Sequence, residues 1–218
     1  MIKTGAGSLF SILFPSDCRI CGASLQNISR IPVCEGCLGN MRPLEGRRCR
    51  VCGEPIFEFG DEATPGSERG VEGESNSEDT SAETERCGMC RRMPPPFIQA
   101  KAYGSYECEL RELLHLLKYG QVRPAVAALG EMLAEAIRPL LAQGEKVLVV
   151  PVPLHRGKRG QRGFNQSELL ARAALRKMEP RPEIDARCLV RSRATMSQAG
   201  LTRHQRRANV RGAFRVAR

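Results

Sequence analysis

KVLVVPVPLHRGKRGQRGFNQSELL, residues 146–170, carries an apolar run, a glycine-spaced basic stretch and a helix start in unbroken succession. Residues 146–154, KVLVVPVPL, predict a strand whose continuous branched apolar side chains suit burial on both faces of a sheet. Pro151 and Pro153 have no N–H to give to a ladder, so the outgoing end bends into a loop. Along that loop Gly157, Gly160 and Gly163 recur every third residue between Arg156, Lys158, Arg159 and Arg162. Glycine permits tight turns with exposed backbone donors, and the cations offer charge-assisted hydrogen bonds to oxyanions. Ligands of α/β sheets gather at the carboxyl ends of strands, so the stretch is a candidate phosphate or pyrophosphate site. A nucleic-acid backbone or a plain solubility patch would use the same residues. Asn165 or Ser167 then caps a helix reaching to about Met178, with Glu168 near its start.

Upstream, Leu110, Leu113, Leu114 and Leu117 recur at helical spacing, with Gly120 as a stop. A second helix begins near Pro124 and carries Leu129, Leu133, Ile137 and Leu140 on one stripe. His115 reads as a packed or surface histidine. Downstream, residues 187–190 make a short candidate strand, and residues 191–218 are polar, basic and weakly periodic. Two helices feeding a buried strand predict an α/β layer structure with parallel pairing.

Residues 1–92 have a different character. Eight of the ten cysteines fall in CxxC pairs: Cys18 and Cys21, Cys34 and Cys37, Cys49 and Cys52, Cys87 and Cys90. Two thiolates three positions apart on a tight turn point at one ion, and two such knuckles complete a tetrahedral zinc site. The simplest pairing joins the first two pairs and the last two, and an interleaved pairing satisfies the same spacing. No pair is followed by the helical pattern of a thioredoxin-like redox motif. Cys108 and Cys188 read as buried small hydrophobes, in a helix and a strand respectively.

Between the halves of the second quartet, residues 58–86 hold ten acidic and two basic residues, a local −8 in a chain of net +10. Such a Gly, Ser and Glu rich segment buries too little apolar surface to offset its ordering entropy, and it predicts a disordered insert. MPPPF, residues 93–97, forms a stiff boundary. From His155 onward there are 17 Lys and Arg against four Asp and Glu. Three Tyr, seven Phe and no Trp argue against aromatic stacking as the main working surface. No apolar run reaches the roughly 18 residues of a membrane span, and no signal-peptide cleavage pattern opens the chain. A cytoplasmic location without membrane insertion is expected. Walker, Rossmann, HExxH and GxSxG patterns are absent from the sequence.

LFPSDCRICG, VCEGC, CRVCGEPI and CGMCRRMPPPF, followed by AKAYGSYECELRELLHLLKYG and VPVPLHRGKRGQRGFNQSELLARA, resemble the ComF competence-protein family, which includes the GntX-like proteins. SQAGLTRHQRRANVRGAFRV, residues 197–216, is similar to that family's next block. The resemblance implies a double zinc ribbon over residues 1–92 and a type I phosphoribosyltransferase-like, Rossmann-like domain over 98–218. It implies that phosphoribosyl pyrophosphate, or another diphosphate, is received at Arg156, Lys158, Arg159, Arg162 and Gly163. Asn165 and Gln166 match the family's FNQ, and Arg206 and Arg207 fall in its mobile basic segment.

Family domains continue into a hydrophobic strand ending in paired aspartates and then a Thr and Gly rich loop, whereas this sequence ends at Arg218. Magnesium is therefore expected only in a complete relative, and the sheet is expected to be incomplete, from a truncated product or a fragment. By resemblance the function is linked to competence and DNA uptake, with turnover not expected. The alternative is a zinc-bearing single-stranded DNA binding or adaptor protein working with the competence machinery.

Overall fold

The computed structural model describes residues 16–25, 30–56, 85–141 and 146–217. They form a mixed helix and strand fold with an N-terminal four-cysteine zinc-ribbon module. The expected acidic insert, apart from Glu85 and Arg86, lies outside the described residues. The chain groups into two compact units: Met1–Pro43 with Tyr103–Arg218, and Leu44–Ala102. The two cysteine quartets thus belong to different units, a division drawn by packing rather than by composition.

In the larger unit, helix α1 (Glu35–Gly39) starts after Cys34 and contains Cys37. Helix α3 (Cys108–Lys118) places the predicted leucine stripe inward, with Leu113 and Leu117 fully buried. Helix α4 (Ala125–Leu141) begins next to Pro124, as the sequence predicts. These residues share a core with Cys18, Val33, Cys37, Met41 and Phe164, so the first cysteine module is roofed by the two long helices after it. Strand β1 (Leu148–Val149) leads through Pro151 and Pro153 to helix α5 (Arg156–Arg162) and helix α6 (Gln166–Leu175). Helices α4 and α6 touch closely at Gly130, where a β-carbon would sit 2.5 Å from that of Ala173.

Strand β2 (Glu183–Ile184) pairs parallel to β1, Leu148 opposite Glu183 and Val149 opposite Ile184. A second core packs this pair on Ala134, Ala174, Leu175 and Met178. Strands β3 (Leu189–Arg191) and β4 (Phe214–Val216) form a separate antiparallel ribbon, joined through helix α7 (Arg203–Val210). In the smaller unit, helix α2 (Gly88–Arg92) follows Cys87. Ala100 donates a backbone hydrogen bond to Val51, and Arg48 bridges to Pro55. Among the described residues no helix is long and apolar enough to cross a membrane.

Three expectations are corrected. The strand at 146–154 contracts to two residues, because prolines remove its later donors, and Leu148 is half exposed rather than buried. The candidate strand at 187–190 forms as β3, shifted to Leu189–Arg191 and paired with β4. Cys108 is exposed at the start of α3 with a left-handed φ of 41°, and Cys188 is only half-buried just before β3.

Candidate functional site

Each cysteine quartet is built from the same two pieces. The first is a knuckle closed by a left-handed glycine: Gly22 has φ 76° and donates to the Cys18 carbonyl, and Gly53 has φ 76° and donates to the Cys49 carbonyl, both at 2.8 Å. The second is a short helix whose N-cap is itself a ligand. Cys34 (φ −71°, ψ 158°) caps α1, and Cys87 (φ −67°, ψ 158°) caps α2. The backbone amide of Cys34 donates to Cys18 Sγ at 3.3 Å, and that of Cys37 to Cys34 Sγ at 3.4 Å.

Cys18, Cys21, Cys34 and Cys37 converge at one point, and Cys49, Cys52, Cys87 and Cys90 at another, with ligand atoms in each group within 4.8 Å of one another. The simple pairing is therefore the one formed, and the interleaved one is not. Sulfur separations are 3.9 Å for Cys18 and Cys37, 3.7 Å for Cys21 and Cys34, and 3.6 Å for Cys52 and Cys87. Sulfurs about 2.3 Å from one ion at tetrahedral angles stand about 3.8 Å apart, so the donors fit zinc in number, chemistry and spacing. Among the described residues these are the groupings of His, Cys, Asp and Glu suited to an ion.

The thiols within each quartet differ. Burial raises the Cys18 thiol, but amide donors from Cys21, Cys34 and Ile20 outweigh it and bring the pKa down to about 6. Cys49 is likewise opposed by burial and brought to about 6 by the amides of Cys52, Cys87 and Val51. Burial and neighbouring sulfurs push Cys37 up strongly and Cys90 to about 12. Backbone amides thus favour the thiolate at Cys18 and Cys49, whereas burial and neighbouring sulfurs oppose it at Cys37 and Cys90.

The basic stretch takes a different form from the expected loop. Residues 156–162 are the exposed helix α5, capped by His155, whose Nδ1 accepts from the Gly157 amide at 3.3 Å. Gly163, with φ 74°, ends it. Glycine spacing suggested a turn, yet a side-chain cap and a left-handed C-cap suffice to wind two turns of helix. Asn165 is buried, caps α6 by accepting from the Ser167 amide, and donates from Nδ2 to the Val152 carbonyl at 3.1 Å. The strand exit and the helix are thereby tied together. Arg162 donates to Gln166 Oε1 at 3.0 Å.

Four of the expected site residues, Arg162, Gly163, Asn165 and Gln166, form this joint. Arg156, Lys158 and Arg159 project from α5 with no side-chain hydrogen bond or ion pair among the described residues. Arg206 and Arg207 stand on α7, whose Thr202 and Gln205 make a capping box. That helix is fastened to the ribbon's connection: Asn209 donates to the Met196 carbonyl at 3.1 Å, and Arg193 to the carbonyls of Asn209 and Arg211. The structure adds three residues that the sequence did not flag. Arg162 lies over the Tyr119 ring, 5.2 Å from its centroid, and Arg123 over the Phe164 ring at 5.0 Å. Lys118 has its pKa lowered by burial and by Arg162. A basic residue ending a helix and another after its stop were the available signals, but nothing local says that they face Arg162.

Residues 9–71 match the double zinc ribbon domain family, a span that ends before Cys87 and Cys90. The fold supplies those two ligands from beyond the intervening segment. DNA utilization protein YhgH of Escherichia coli K12 is 32% identical over 133 residues, covering 60% of this chain and 58% of that protein. The protein of the same name in Salmonella typhi is 32% identical over 135 residues. The chain thus spans less than two thirds of the length of these relatives. Competence protein F of Haemophilus influenzae is 26% identical over 187 residues, 84% of this chain and 76% of that protein. No solved structure matches. With two knuckle-and-helix quartets of zinc-ribbon geometry, the chain carries a double zinc ribbon and is similar along much of its length to competence protein F and to the YhgH proteins.

Proposed function

We propose that this chain is a ComF-family protein that works in the cytoplasm in competence and DNA uptake, alongside the other proteins of that machinery. On this reading residues 1–92 are a double zinc ribbon holding two structural ions, and residues 98–218 a phosphoribosyltransferase-like domain. That domain receives a diphosphate, phosphoribosyl pyrophosphate in the first instance, at the end of β1. The names of the relatives support the competence link. The observation that carries the diphosphate is the strand exit: a parallel strand delivers the chain, through Asn165 and Val152, to a helix bearing three cations with no side-chain partner among the described residues.

Arg156, Lys158 and Arg159 neutralise the diphosphate oxygens, while Arg162, Gly163, Asn165 and Gln166 set the helix at the strand end. On this reading Arg206 and Arg207, on α7, add further positive charge for the diphosphate. In a transfer reaction these cations would stabilise the departing diphosphate. Neither adjacent aspartates nor a Thr and Gly rich loop occurs in the 218 residues, so binding without turnover is the reading proposed for this chain. On this reading magnesium belongs only to a complete relative, whose paired aspartates would hold it.

Calorimetric titration with pyrophosphate should show one site per chain, weakened about tenfold or more in Arg159→Gln, because a charge-assisted contact is worth about 1.5–3 kcal/mol. Labelled pyrophosphate should not exchange into phosphoribosyl pyrophosphate. Absence of saturable pyrophosphate binding would remove the diphosphate reading, and measurable exchange would remove the non-catalytic one.

A further inference from the structure

Tyr106 and Tyr119 are two of the three tyrosines in the chain, and both stand in the open, 53% and 70% exposed. His115 joins them. Its Nε2 shares a 2.9 Å hydrogen bond with the Tyr106 hydroxyl, and its ring meets Tyr119 edge-on at 5.6 Å. His115, Lys118 and Tyr119 lie three and four positions apart and so occupy one face of α3. Cations close the ends of the row: Lys118 Nζ is 5.6 Å from the Tyr106 centroid, and the Arg162 guanidinium covers one part of Tyr119. Arg123 stands beside Gly163, the residue after Arg162, where a β-carbon would be 3.4 Å from its Nη2.

Lys118, Arg123 and Arg162 form no ion pair among the described residues. Cations gathered without a carboxylate repel one another, and an incoming anion relieves that repulsion. Exposed rings held rigid by a histidine supply flat apolar faces beside it. Flat faces together with phosphate-sized charge are the two needs of an unpaired strand, whose bases stack and whose backbone is anionic. Two rings, one from just before α3 and one at its C-cap, with three cations, exceed what one free nucleotide can occupy.

We propose that the face formed by Tyr106, His115, Lys118 and Tyr119, with Arg123 and Arg162, binds single-stranded nucleic acid by base stacking and phosphate contact. This inference rests on the DNA-uptake reading only for the biological source of the strand. It overlaps the diphosphate reading at Arg162 alone.

The test uses fluorescence anisotropy of the whole zinc-loaded chain with a labelled 12-mer of thymidine and an abasic strand of equal phosphate number. Tyr119→Leu should weaken the thymidine strand about tenfold, within the range for losing one stacked base, while leaving the abasic strand unchanged. Tyr119→Phe should restore binding. Arg123→Gln should weaken both strands and flatten the dependence of log affinity on log salt by about 0.7. Zinc content and circular dichroism of each variant report folding separately, and the lightly packed Tyr119 leaves the core intact. Equal binding of the two strands would overturn the proposal. So would wild-type affinity in Tyr119→Leu, displacement by free thymidine monophosphate at matching occupancy, or equal binding of an acidic peptide of the same charge. Pyrophosphate titration of the same variants separates the readings: Tyr119→Leu retains pyrophosphate while losing the strand, and Arg159→Gln loses pyrophosphate first.

Discussion

Asn165 carries two duties with one side chain. Its oxygen caps α6 and its nitrogen holds the Val152 carbonyl, in a buried position where an unpaired polar atom is costly. Asn165→Ala should therefore lower stability by about 2 kcal/mol, the sum of a lost cap and an orphaned carbonyl, read from the urea midpoint. Asn165→Asp keeps the acceptor and loses the donor, so about half of that loss should return. The capping role was legible in the sequence, since an Asx or Ser residue before an amphipathic run has few other uses. The Val152 contact was not, because it depends on where two prolines turn the chain. Composition argues against stacking by counting rings, whereas the proposed strand-binding face rests on where two of them stand.

Secondary elements were legible in proportion to their periodicity. Helices α3 and α4 follow their leucine stripes and stop signals closely, since 3.6-residue burial leaves a repeated mark. The apolar run at 146–154 gives no such mark, because length and partner decide whether it becomes a long strand. Strand β2, at Glu183–Ile184, is too short to leave a pattern at all. The contact between α4 and α6 is sharper than either helix alone. Gly130 costs α4 about 1 kcal/mol in helix propensity relative to alanine, so Gly130→Ala would stabilise an isolated helix. Here the added carbon meets Ala173 at 2.5 Å, and we expect a net loss of about 1–2 kcal/mol in thermal or urea unfolding. Combining it with Ala173→Gly should recover part of that loss, a coupling that only touching residues show.

Across the whole molecule the two metal sites belong to different packing neighbourhoods. The first shares its core with Leu113, Leu117 and Phe164, and the second sits within Leu44–Ala102. Zinc measured by atomic absorption should be two ions per chain, falling to one in either Cys37→Ser or Cys90→Ser. The consequences should differ. Cys37→Ser should loosen the helical core and raise hydrogen exchange along α3, whereas Cys90→Ser should raise exchange around α2 and leave α3 protected. The CxxC spacing made both quartets visible in the sequence. Their separate allegiance was invisible there, because it is decided by leucines far along the chain.

That allegiance bears on how the protein is made. Cys18 and Cys37 leave the ribosome well before Leu113 and Leu117, the side chains that later shelter them. A nascent chain therefore passes through an interval in which its first metal cluster is assembled but uncovered, open to oxidants and chelators alike. Early loading with zinc, during synthesis rather than after it, is the step that protects those thiols until their apolar cover arrives.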